Sequence, residues 1–158
     1  MKKRWMVMVL LGLIIASACQ SNSLSTLDEP VPDQKQPSSA DGLSIVLEQT
    51  EYPEAPDTMQ VTLKNVSEDT YEYGEFFQLE QNLDGKWYIV QYSDAVFYQN
   101  PRFTNMGVHL QPGDTVTQIY SPETLDLQLP EGTYRLVKTF THSDPTYTVS
   151  IAAPFRVH

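Results

Sequence analysis

Between residues 43 and 157 apolar side chains recur at every second position, the period of a strand with one buried face. Leu43, Ile45 and Leu47 share one face of a first run, and Met59, Val61 and Leu63 share one face of a second, against Gln60, Thr62 and Lys64. Phe77 and Leu79 continue the pattern up to Asp84-Gly85, which leads into Lys86-Trp87-Tyr88-Ile89-Val90. Asp-Gly predicts a two-residue type I′ hairpin turn, because both residues tolerate the positive φ that this turn requires. Further strands are predicted over 114–120, 133–141 and 147–157. Pro, Gly and Asp separate these runs, and none has helical period, so the expectation is an all-β domain of two packed sheets.

The register of the 84–85 hairpin decides where Trp87 goes. A strict two-residue turn sets Leu79 against Val90 and Gln81 against Tyr88, leaving Trp87 beside Asn82 on the other face. A bulged turn would turn Trp87 and Ile89 inward. The expectation taken here is a mostly buried Trp87, since an indole buries more apolar area than a tyrosine ring at lower polar cost.

Upstream of this domain the pattern changes twice. Lys2-Lys3-Arg4, an apolar run from Trp5 to Ile15 and Ala16-Ser17-Ala18 precede Cys19, the single cysteine. This order resembles a bacterial lipoprotein signal peptide, with Ala16 standing where Leu is commonest. The resemblance implies that residues 1–18 are removed and that Cys19 receives a lipid, which places the chain on the outer face of a cell membrane. Trp5 to Ala18 is shorter than the ~20 apolar residues that span a bilayer. Residues 19–42 are rich in Ser and Pro, with Leu24, Leu27 and Val31 as the sizeable apolar residues. That composition predicts a flexible tether with a reach on the order of 25–30 Å.

One cysteine allows no intramolecular disulfide, so the domain at 43–158 must hold together by burying apolar surface. Without Lys2, Lys3 and Arg4 the chain carries 7 basic against 20 acidic side chains, a net charge of about −13. Such a surface argues against nucleic acid and is repelled by anionic headgroups, so an acyl chain rather than a basic patch would hold it at the membrane.

Leu129-Pro130-Glu131-Gly132-Thr133-Tyr134-Arg135-Leu136 resembles the tyrosine corner of immunoglobulin folds: Gly stands two before Tyr and an apolar residue two after it. Together with Tyr71-Glu72-Tyr73-Gly74, Phe77-Gln78-Leu79-Glu80, Asp84-Gly85-Lys86-Trp87-Tyr88 and Gln111-Pro112-Gly113-Asp114, it makes 43–158 similar to the bacterial Ig-like domain of Gram-positive surface lipoproteins. The resemblance implies a two-sheet immunoglobulin-like sandwich without a disulfide, Leu136 packing where antibodies carry a cysteine. It implies no catalytic residues and no cofactor. It further implies an interaction module with a protein or cell-wall partner, or alternatively an accessory or sensory part of a membrane enzyme or transporter system.

The residue chemistry points the same way. His109, His142 and His158 are scattered and lack the spacing of metal ligands. His142-Ser143-Asp144 cannot act as a triad, because adjacent residues do not converge on one reacting atom; Ser143-Asp144-Pro145 reads as a turn. Glu68, Asp69, Glu72 and Glu75 lack the loop spacing of a calcium site and read as a solvated acidic face. Asn65-Val66-Ser67 reads as a strand end running into a turn. The stretch from Tyr92 to Gly107 is long for a strand connection and aromatic. Val96, Phe97 and Phe103 are expected to fold back over the end of the sandwich, which leaves Tyr98 and Arg102 as the candidate binding residues.

Overall fold

The computed structural model describes residues 24–103 and 107–158, and these form two sheets packed face to face. The first sheet has the order β1–β2–β4–β9, built from β1 (Ser39–Ala40), β2 (Leu43–Leu47), β4 (Met59–Asn65) and β9 (Thr115–Tyr120). The second runs β3–β11–β10–β5–β8, from β3 (Glu51–Tyr52), β11 (Thr146–Val157), β10 (Gly132–Ser143), β5 (Tyr71–Tyr73) and β8 (Val108–Leu110). β6 (Gln78–Leu83) also pairs with β10, and β7 (Lys86–Ile89) pairs with β6. Residues 1–18, expected as a signal peptide, and Cys19 lie outside the described residues, among which no helix is long and apolar enough to cross a membrane.

The period-two residues meet between the sheets. Leu43, Ile45, Met59, Val61 and Leu63 from the first sheet face Leu79, Tyr134, Leu136, Phe140 and Ile151 from the second, all of them buried. No sulfur bridge is involved; the apolar area itself supplies the drive to fold, at ~25 cal/mol per Å² removed from water. This is the all-β sandwich expected from the alternation.

β10 organises the second sheet because its 12 residues serve two partners in succession. Tyr134–Val137 pair with β6 and Thr141–His142 pair with β5. Along β10, Tyr134, Leu136, Lys138 and Phe140 point inward, while Arg135, Val137 and Thr139 point outward. Tyr134 forms the expected corner: its hydroxyl donates to the Pro130 carbonyl at 2.8 Å, and its ring stacks on Phe155 at 5.5 Å. Gly132 is required there by close approach, since a β-carbon on it would come within 3.2 Å of the Tyr134 ring and hydroxyl.

The 84–85 turn corrects the expectation for Trp87. Asp84 (φ 52°) and Gly85 (φ 82°) both adopt the left-handed region, so the turn is strictly two-residue and Asn82 faces Trp87. Val90, opposite Leu79, fills the core position, and Trp87 lies half-buried on the outer face. There its ring meets the Arg135 guanidinium at 4.7 Å, a contact that uses the indole face without needing the core.

The stretch expected as a tether also differs from expectation in its described part. Residues 25–31 run antiparallel beside β7, with Leu27 N–H donating to the Ile89 carbonyl, Val31 N–H to that of Trp87, and Gln91 N–H to that of Ser25. The segment then crosses the outer face of the second sheet, reaches β11 where Ala152 N–H donates to the Pro37 carbonyl, and enters the first sheet as β1. It forms a strap across the domain.

Tyr134→Phe removes the corner hydroxyl and leaves the Pro130 carbonyl without its donor. A loss of about 1 kcal/mol in urea unfolding is expected; an unchanged midpoint would show that the corner is held by ring packing alone.

Candidate functional site

Two side-chain constellations stand out, one beneath the strap and one at the aromatic loop. Beneath the strap, Glu80 and Arg135 sit opposite each other on β6 and β10, 2% and 3% exposed at their side chains. Arg135 Nε donates to Glu80 Oε2 at 2.6 Å, Nη2 lies 2.6 Å from the same oxygen as an ion-pair contact, and Gln78 Nε2 donates to Glu80 Oε1 at 2.8 Å. The remaining guanidinium protons reach the strap: Nη2 to the Asp33 carbonyl at 2.7 Å and Nη1 to that of Gln34 at 3.4 Å. Gln34 answers from the other side. Its Oε1 accepts from Trp87 N–H at 2.9 Å, and its Nε2 donates to the carbonyls of Val31 at 2.7 Å and Trp87 at 3.2 Å. A buried ion pair is tolerable only when its hydrogen-bonding capacity is filled in this way.

A second buried cation, Lys138, occupies an inward position between Leu136 and Phe140. The reason lies across the sheet, where residues 74–77 interrupt the strand between β5 and β6 and leave carbonyls without ladder partners. Lys138 Nζ donates to the Gly74 and Phe76 carbonyls, the latter at 2.8 Å, and lies 5.5 Å and 5.2 Å from the rings of Tyr73 and Tyr120. Burial pushes its ammonium down to about 7, with the negative charge of Glu75 opposing that fall. Burial likewise raises the Tyr120 phenol, helped by Glu75.

The described part of the aromatic loop, 92–103, packs its rings together beside one short helix. Phe76, Tyr92, Phe97 and Phe103 gather with ring centroids 5.5–6.2 Å apart, and the short helix α1 (Ala95–Gln99) buries Val96. Asn100 locks the far end of α1, its Nδ2 donating to the Val96 carbonyl at 3.2 Å and the Thr124 carbonyl at 2.8 Å. Phe97 is 41% exposed and Tyr98 90%, and Arg102 is exposed. An open groove of about 420 Å³ adjoins the loop, with Leu27, Ile89 and Tyr92 among its lining residues.

The structure separates the other polar candidates. His109 lies 3.8 Å from Glu72, and His158 2.6 Å from Glu51 at the C-terminus. His142 caps the β10–β11 hairpin, with Nδ1 2.8 Å from the Pro145 carbonyl and its ring stacked on Tyr147. Among the described residues no group of three or more His, Cys, Asp or Glu gathers as a metal site. Asn65 is a buried hub, donating to the Asp69 and Leu110 carbonyls and accepting from Ser67. Sequence reasoning missed the Glu80–Arg135 pair and Lys138, although Lys138 occupies an inward position in the alternation of β10.

The family model described as a bacterial Ig-like domain matches residues 39–156. No curated protein matches the chain.

Lys138 binds its proton more weakly in the folded chain than in the unfolded one, so the unfolded state holds more protons between pH 7 and the ordinary lysine range. Stability relative to Lys138→Met is therefore expected to rise with pH from about 7 upward, by at most about 1.4 kcal/mol per pH unit. Urea unfolding at pH 6, 7.5 and 9 measures it; parallel curves for the two proteins would contradict the burial of an ionisable amine.

Proposed function

Since the chain belongs to the bacterial Ig-like domain family, we propose that it is a membrane-anchored extracellular lipoprotein whose sandwich serves as a non-catalytic interaction module. Lipid on Cys19 is the anchor, and Tyr98 and Arg102 are the contact residues. The observation that carries this reading is the construction of the aromatic loop. Buried Val96, the aromatic cluster and the Asn100 bonds hold α1 in place, while Tyr98 stands 90% exposed and Arg102, four residues on in the same loop, is exposed. A large aromatic and a planar cation presented on a fixed support lose little freedom on binding.

Mass spectrometry of the N-terminal peptide tests the anchor: a diacylglyceryl mass on Cys19 is expected, and an unmodified thiol would overturn it. Cross-linking of the domain in intact membranes tests the contact residues. Tyr98→Ala combined with Arg102→Ala is expected to abolish the cross-linked product while shifting Tm by less than about 2 °C, as for exposed surface substitutions. A large fall in Tm would assign both residues to the fold instead.

A further inference from the structure

The strap fixes which end of the domain faces the anchor. Ser25 is held twice at Gln91: its carbonyl accepts from Gln91 N–H at 2.8 Å, and its hydroxyl donates to Gln91 Oε1 at 2.6 Å. Because the strap runs antiparallel to β7, the chain leaves the domain where β7 ends, and Tyr92 begins the aromatic loop next to that point. Five residues lie between Cys19 and Ser25, so the two are at most ~22 Å apart even with the chain fully extended. A freely moving 19–42 tether would leave orientation open; with the strap docked, a lipid on Cys19 keeps the aromatic end close to the headgroups.

That end is chemically suited to them. Residues 92–103 carry one acidic side chain, Asp94, and one basic, Arg102, in a chain whose portion after Arg4 has a net charge of about −13. Leu27 (42% exposed) lines the groove with Tyr92, whose ring meets that of Phe97, and Phe97 and Tyr98 on α1 offer further apolar and amphipathic surface. Aromatic rings of this kind settle at the headgroup level, and a guanidinium pairs with phosphate. We infer that Tyr98 and Phe97, with Arg102 of the same loop, rest on the phospholipid surface and orient the sandwich on the membrane. This rests on the anchoring reading and names the surface that the contact residues meet.

The single cysteine allows a test independent of cellular lipidation. The chain from Cys19, which contains every described residue, is coupled through that thiol to a maleimide phospholipid in phosphatidylcholine vesicles containing lipids brominated near the headgroup. Tyr98→Trp is compared with Leu83→Trp, which replaces a 39% exposed side chain at the turn at the opposite end of β7. Fluorescence is read as the increase over the signal of Trp87. Quenching at position 98 at least roughly twofold greater than at position 83 is expected for an interfacial ring. Equal quenching at the two positions would overturn the inference and return Tyr98 and Arg102 to a protein or cell-wall partner. An unmodified Cys19 in cells, by contrast, would overturn the anchoring reading, whatever the vesicles show.

Discussion

The ion pair between Glu80 and Arg135 is the constraint on which the rest of the architecture turns. Its position on the outer face of the second sheet would ordinarily be solvated. Burying it there demands a cover, and the strap supplies one through the Asp33 and Gln34 carbonyls while Trp87 closes the pair from the opposite side. With one partner removed, the other would be a buried charge without compensation, a far larger penalty than the loss of an exposed pair. The pair therefore ties three elements together: the pairing of β6 with β10, the outward position of Trp87, and the path of residues 25–37. It also protects the exposed edge of β7, whose backbone groups would otherwise offer a template for another strand.

Lys138 answers a complementary problem inside the sandwich. One edge of β10 is shared by β5 and β6, both shorter than its 12 residues, and the sheet breaks between them along that edge. The Gly74 and Phe76 carbonyls at that break accept from the Lys138 ammonium, which provides the donors that the interrupted ladder does not. The Tyr73 and Tyr120 rings supply further stabilisation of the cation, while burial of the amine works against it and lowers the lysine. A domain with no disulfide thus combines an apolar core with two cations, each placed where strand geometry leaves backbone or carboxylate oxygens to be satisfied.

Much of this fold was legible in the sequence because apolar alternation reports burial directly. Leu43, Ile45, Met59, Val61, Leu63, Leu79 and Leu136 are all core residues, and the Gly132–Tyr134–Leu136 spacing located the corner. What escaped was held by polar contacts. The strap buries Val31 and little else that is apolar, so its composition reads as a tether; its attachment comes from main-chain hydrogen bonds and the Gln34 amide, which leave no periodic trace. Trp87 was misplaced by weighing apolar area alone, when the guanidinium of Arg135 made an outer-face site suitable for an indole. Of the candidate contact residues, the exposure of Tyr98 and Arg102 follows from the way Val96 and the neighbouring rings turn inward.

The docked strap is the central claim, because it covers the ion pair and closes the edge of β7. Hydrogen exchange of the Leu27, Val31 and Gln91 amides in the chain from Cys19 tests it most directly. Each donates to a main-chain carbonyl across the strap–β7 seam. Protection comparable to that of the β6–β7 amides is the expected result. Exchange at the rate of an open chain, with the sandwich amides still protected, would contradict the account.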